Sequence, residues 1–319
     1  MARRSLLPAA LLALVMAPLA LWLPSYQLGL LTQALAFGLM AASLDVLAGH
    51  AGLLSLGQAA FFGIGAYGVG MSMAKLGWHP WQAAGIALLA VATAATVFGL
   101  LVRQLRGPYF LVTTLTLTQV LWGLAVKWTP VTGGYDGLRG IARPPFLWDL
   151  ERPAGYFLFT LLAVTVALAV MDLLRRSPLG LALQGVRQSE RRMRVLGYQP
   201  SLLVLTAVLL AALGAGLAGV LHVFYQRFVG PSALAWTLSA QVLLSVIVGS
   251  RGTFWGPAAA GFAIALLQLV LSDYVERWNM VIGALFVVSV LLAPEGLPRA
   301  VASALGRARG LLGGRAMVG

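Results

Sequence analysis

The chain carries three histidines, His50, His79 and His222, and no cysteine. Thiolate nucleophiles, disulfides and sulfur-ligated zinc are excluded by that alone. The histidines stand far apart in sequence and no H-E-x-x-H occurs, so a helical zinc site lacks its paired ligands. A G-x-S-x-G nucleophile turn is also absent. A P-loop ends in Gly-Lys-Ser/Thr, yet the only lysines, Lys75 and Lys127, follow alanine and valine. The chain therefore has no phosphate cradle and no ATPase site of its own. A carboxylate at membrane depth would point to ion coupling, and Asp45 sits near the end of an apolar run. One carboxylate makes a poor ion site, and this one lies within reach of His50 and neighbouring glycines, where a structural role is equally open.

The elements that must position these groups are set by composition. Of 319 residues, 60% are hydrophobic and 10% charged, against about 45–50% and about 25% in soluble domains. The mean hydropathy of +0.89 makes lipid the solvent. Apolar runs long enough to cross a bilayer fall at 6–23, 27–48, 53–74, 83–102, 108–128, 156–174, 202–224, 234–250, 254–272 and 280–294. The expectation is an all-α polytopic membrane protein of about ten transmembrane helices, forming one domain over 1–319. The run 53–74 is rich in glycine, which permits close packing or a broken, re-entrant segment.

Short-loop cations orient the bundle. With Arg3 and Arg4 inside, ten crossings place 15 of the 22 cations on the cytoplasmic side, among them Arg103, Arg106, Arg175, Arg187 and Arg251. Seven fall outside, with Asp136, Asp149 and Glu151 among the acids beside them. Both termini are expected in the cytoplasm, with 298–319 as a tail. The net charge of +13 follows from this bias and calls for no nucleic acid. Arg3 and Arg4 before an apolar stretch also resemble a secretory signal; the parity of the other loops favours an uncleaved first helix.

Three segments stand out. In 47–67, LAGHAGLLSLGQAAFFGIGAY, close glycines bring backbones together while Ser55 and Gln58 carry hydrogen-bonding groups to membrane depth. A later echo, Gly249, Gly252, Gly256 and Gly261, resembles the spacing of Gly49, Gly52, Gly57 and Gly63, as an internal repeat would. In 177–197, Ser177 suits an N-cap, Pro178 the first helical position and Gly197 the exit. Leu179, Leu183, Val186 and Met193 make one stripe, and Arg187, Arg191 and Arg194 another. One or two short amphipathic helices at the surface are expected, with a break at Gly185. Periodicity does not separate a helix lying on lipid from a knob that fits a partner protein. The third segment, TGGYDGLRGI at 132–141, reads as a turn-rich connection.

Together with SPLGLALQGVRQSERRMRVLGY, GTFWGPAAAG and LLAPEGL, these segments resemble the LivM-type permeases of bacterial branched-chain amino acid ABC transporters. The match runs in the family's order from about Leu28 to Leu297. The resemblance implies an ABC-importer permease in the bacterial inner membrane, multi-pass, paired with a second, LivH-like permease. It also implies two cytoplasmic ATPase subunits, which bind the ATP and Mg, and a periplasmic or lipid-anchored amino-acid-binding protein. No cofactor is implied on this chain. The segment 177–197 would be the coupling element that docks on an ATPase, with Arg187, Glu190, Arg191, Arg194 and Gly197 as its contact residues. Against the importer pattern E-A-A-x-x-x-G, Gly197 holds the glycine while Arg191, Arg192 and Met193 replace Glu, Ala and Ala.

Under that resemblance transport proceeds by alternating access, with Ser55, Gln58, Thr113, Thr114, Gln119 and Gln241 as the polar path. Gly49, Gly52, Gly57, Gly63, Gly256 and Gly261 serve helix packing. Related permeases carry urea or short amides, so those cargoes are alternatives, and an ion-coupled secondary transporter is a more distant one. A membrane enzyme would need converging acid, base or metal groups that the inventory lacks.

Overall fold

The computed structural model describes residues 2–274 together with Met280, Val281, Gly283, Ala284 and Val287. Its helices are α1 (Ala2–Met16), α2 (Leu19–Trp22), α3 (Ser25–Asp45), α4 (Gln58–Ala74), α5 (Pro80–Val102), α6 (Gly107–Lys127) and α7 (Thr129–Thr132), followed by α8 (Pro153–Arg176), α9 (Pro178–Gln188), α10 (Glu190–Val195), α11 (Pro200–Gln226), α12 (Trp236–Val248) and α13 (Trp255–Tyr274). A π-helical turn, Val46–Ala51, continues α3. Two short strands, β1 (Leu138–Arg139) and β2 (Phe228–Val229), pair antiparallel with Leu138 opposite Val229.

Among the described residues, six helical stretches are long and apolar enough to span a bilayer: Ser25–Ala51, Pro80–Val102, Gly107–Lys127, Pro153–Arg176, Pro200–Gln226 and Trp255–Ser272. That is fewer than the ten runs read from the sequence. The runs at 6–23 and 234–250 form the shorter helices Pro8–Trp22 and Trp236–Val248. The run 53–74 yields a helix of 17 residues, about 25 Å long, because its first five residues are not helical. The run at 280–294 falls largely outside the described residues.

Burial follows the distribution of apolar residues around each helix. Helix α3 is apolar on every face, which suits only a core position, and 83% of its membrane window is buried. It packs against α8, α11 and α13. Helix α6 is only 22% buried and lies at the periphery. Small residues set the closest crossings. A Cβ on Gly261 of α13 would lie 2.6 Å from the Ala41 side chain of α3, and one on Gly65 of α4 would lie 2.3 Å from the Gly216 carbonyl of α11.

Loop contacts sort into two ends. At one end Arg106 pairs with Glu190, Arg187 reaches Gly49, and the Gly252 N–H meets Asp45. At the other, Lys75 reaches the Pro130 carbonyl, Trp81 donates to the Pro145 carbonyl at 2.9 Å, and Arg227 pairs with Glu151. The loops joined at each end are those grouped together by the cation bias. The connection at 132–141 is more than a turn, since β1 ties it to β2 and Arg139 lies over the Phe228 ring at 5.9 Å. Nearby, burial and the neighbouring Arg227 charge pull the Arg143 guanidinium below its ordinary pKa. Arg143 Nη1 donates to the Leu150 carbonyl at 2.6 Å.

Candidate functional site

The segment between α3 and α4 leaves helical geometry inside the bundle. Gly52 takes a positive φ of 76°, a conformation glycine adopts without a Cβ clash, and residues 53–57 then run as an irregular, non-helical segment to the start of α4. Backbone away from water must find partners within the protein. The Leu56 N–H donates to Thr114 Oγ1 at 3.1 Å, and the Leu56 carbonyl accepts from Thr118 Oγ1 at 3.0 Å. Gly57 N–H donates to Ser55 Oγ at 3.0 Å, and Ala59 N–H donates to Ser239 Oγ at 2.8 Å. Thr114 and Thr118 lie seven and eleven residues into α6, about 10 and 16 Å along it. The break in the helix is therefore deep in the bundle.

Of the residues read as a polar path, Ser55, Gln58 and Thr114 are buried and converge on this break. Thr113 and Gln241 are half-buried, and Gln119 is exposed on α6. Ser55 and Thr114 hold backbone groups, whereas Gln58 Oε1 is buried with no hydrogen-bond partner among the described residues. Thr118 and Ser239 escaped the sequence reading, because an isolated hydroxyl in an apolar helix carries no pattern. Removing the Ser239 hydroxyl by Ser239→Ala leaves a buried N–H orphaned. The expected loss is about 1–3 kcal/mol, read as a lower thermal midpoint in detergent; an unchanged midpoint would show that Ala59 finds another acceptor.

The π-turn and residues 49–52 lie at the arginine-rich end, against α9 and α11. Asp45 is fully buried. One carboxylate oxygen accepts the Gly252 N–H at 2.7 Å and the other the Phe254 N–H at 3.0 Å, just before α13 begins. His50 Nδ1 lies 4.0 Å from the same carboxylate. Asp45 thus fastens α3 to the entrance of α13. The approach is close enough that a Cβ on Gly49 would lie 2.5 Å from the Gly252 nitrogen, and one on Gly256 would lie 2.0 Å from the Gly249 carbonyl. Of the two glycine series noted in the sequence, Gly49 of the first and Gly252 of the second meet here, while Gly57, Gly63 and Gly261 pack elsewhere. A second fully buried carboxylate, Asp172 of α8, lies within the apolar run 156–174; it pairs with Arg175 and with Arg176 at 3.0 Å.

The segment 177–197 folds as α9 and α10. Its break falls at Ser189 and not at Gly185. Ser189 Oγ accepts the Arg192 N–H at 3.3 Å and caps α10, while a Cβ on Gly185 would meet the Met193 sulfur at 2.5 Å, so Gly185 is the seat on which α10 packs. Ser177 occupies the N-cap position of α9, but its hydroxyl donates back to the Leu174 carbonyl. Leu183, Val186 and Met193 are buried. Glu190 pairs with Arg106 and, at 3.4 Å, with Arg194. Gly197 ends α10 with a φ of 85°. Arg191 is exposed. Arg187 differs from its neighbours: its guanidinium donates to the Gly49 carbonyl and its stem lies against Gly52. Among the described residues no three His, Asp or Glu side chains gather as metal ligands.

The family model described as the branched-chain amino acid transport system permease component matches residues 26–290. The high-affinity branched-chain amino acid transport system permease protein LivM of Escherichia coli K12 is 31% identical over 278 residues, covering 80% of this chain and 65% of that protein. Its counterpart from Salmonella typhimurium LT2 is 30% identical over 290 residues, covering 83% and 68%. The chain thus spans about two thirds of the length of these relatives. No solved structure matches.

Proposed function

Because the chain belongs to the branched-chain amino acid transport permease family, we propose that it is a membrane-spanning subunit of an ATP-driven importer of aliphatic amino acids. It works with a second permease, two ATPases and a binding protein that delivers the cargo. The cation bias supports placing the arginine-rich end in the cytoplasm, both termini included. ATP and Mg belong to the partners. The transfer makes and breaks no covalent bond; the bundle alternates between packings open to one side and then the other.

The observation that carries this reading is the contact of Arg187 with Gly49 and Gly52. The surface element α9–α10 is rigid, because Ser189 caps it, Met193 seats on Gly185 and Glu190 ties it to Arg106. A push on its exposed face by an ATPase passes through Arg187 to residues 49–52. From there it runs along the irregular segment 53–57 to Gln58 at the head of α4. Backbone held by side-chain hydroxyls can re-pair during such a movement, whereas a continuous helix would have to break.

The two arginines then separate by role. Arg191→Glu reverses charge on the exposed docking face and is expected to reduce ATPase co-purification. Arg187→Ala leaves that face intact, so the ATPases co-purify while leucine uptake per ATP hydrolysed falls. Equal uptake per ATP in Arg187→Ala and wild type would remove Arg187 from the coupling route. For the function as a whole, radiolabelled leucine should enter vesicles bearing the complete transporter only when ATP reaches the ATPases. Uptake driven by a proton or sodium gradient through this chain alone would overturn the importer reading.

A further inference from the structure

A cavity of about 370 Å³ opens between α3, α4, α11 and the 228–233 connection. Its walls include Phe37, Phe62, His222, Gln226, Ser232 and Leu238. The rim belongs to the end opposite the arginine-rich loops, where Gln226 Nε2 donates to Gln33 Oε1 at 3.2 Å. The floor lies near the helix break: Phe62 is four residues beyond Gln58, and Leu238 adjoins Ser239, whose hydroxyl holds the Ala59 N–H. The cavity therefore leads from the loops of one end towards the unwound segment.

Its lining is two-faced. The His222 ring packs at 5.3 Å from the Phe62 ring and edge-on to Phe37 at 6.5 Å, yet its Nδ1 has no hydrogen-bond partner among the described residues. The Gln226 amide stands above it at the rim and the Ser232 hydroxyl is exposed there. Aromatic and aliphatic walls with a few placed polar groups are how proteins bind small amphiphiles, and the volume is within the about 300–1,000 Å³ range of such sites.

We propose that this cavity is the entry site for the transported solute, and that it takes a neutral zwitterionic amino acid with an aliphatic side chain. The proposal rests on the importer reading above. Phe37, Phe62 and Leu238 receive the side chain. The imidazole of His222 and the amide of Gln226 meet the ammonium and carboxylate. Urea has no apolar part with which to fill those walls, so the site discriminates against it.

The absence of cysteine from the chain makes the test direct. Ser232→Cys places a single thiol in this subunit at an exposed position. The complete transporter carrying it is treated with a fluorescent maleimide, and labelling of this subunit is followed on a gel. Leucine is expected to slow labelling by about tenfold at ten times the half-protecting concentration, because only the vacant site reacts. Glycine and urea should leave the rate unchanged. Labelling at one rate with and without leucine, or no labelling at all, overturns the proposal. As a second arm, Leu238→Ala widens the pocket and should raise phenylalanine uptake relative to valine by about tenfold; an unchanged ratio counts against the site. Protection by urea in place of leucine would refute the assigned cargo class while leaving the importer reading standing. A wild-type transporter that imports no leucine would refute the importer reading itself.

Discussion

Asp45→Ala is expected to destabilise the protein by up to about 3–6 kcal/mol, since two hydrogen bonds to the carboxylate, each worth up to about 1.5–3 kcal/mol, vanish together. The Gly252 and Phe254 N–H groups that they satisfy would be left without an acceptor at the entrance to α13. The measurement is the thermal midpoint of the purified protein in detergent, together with yield. Asp45→Asn is the informative companion. Its remaining carbonyl can accept one of the two N–H groups, but its NH₂ faces the other, so a loss between wild type and Asp45→Ala is expected. Equal midpoints for all three proteins would mean that α13 is held by its apolar face alone. Should Asp45 serve ion coupling instead, Asp45→Asn would change the pH or sodium dependence of uptake while leaving the midpoint near wild type.

Gly219→Ala is the second large effect. A Cβ there would stand 2.0 Å from the Phe62 carbonyl oxygen, a backbone atom of α4 that no rotamer change can move. Helices α4 and α11 must separate, and Gly65 against the Gly216 carbonyl lies on the same contact. Overpacking of buried sites typically costs about 1–3 kcal/mol, occasionally more, and a backbone collision belongs at the upper end. Because the His222 cavity is framed by the same two helices, leucine uptake should fall with the midpoint. The control is Gly123→Ala in α6, where a Cβ would meet nothing within 4 Å. There alanine should be neutral or stabilise the helix by up to about 1 kcal/mol. If both substitutions behave alike, the α4–α11 crossing is looser than described.

Much of the local structure was legible in short segments. The run at 47–67 marked the place where α3 gives way to non-helical chain, because Gly52 takes a positive φ there, whereas Gly63, Gly65, Gly68 and Gly70 lie inside the continuous helix α4 and serve close packing. The amphipathic stripe at 177–197 marked α9 and α10 for a similarly local reason: helix periodicity and capping residues act over a few residues. The placement of the break within that segment was not legible, because Gly185 looked like a hinge and proved to be a packing seat for Met193, 8 positions along. Nor could the hydroxyls of Thr118 and Ser239 be picked out, since each serves a backbone group distant in sequence.

From composition and loop charge alone, the chain reads as a helical membrane protein, and its ordered motifs carry its family. These are properties of single residues, local periods and solvent preference, which need no fold to act. What lay beyond the sequence is which groups meet. Asp45 with the α13 entrance, Arg187 with Gly49, and His222 with Phe37 and Phe62 each join residues far apart along the chain. Such pairings come from helices crossing at small residues, and a crossing is decided by the shapes of two surfaces together, which neither segment encodes on its own.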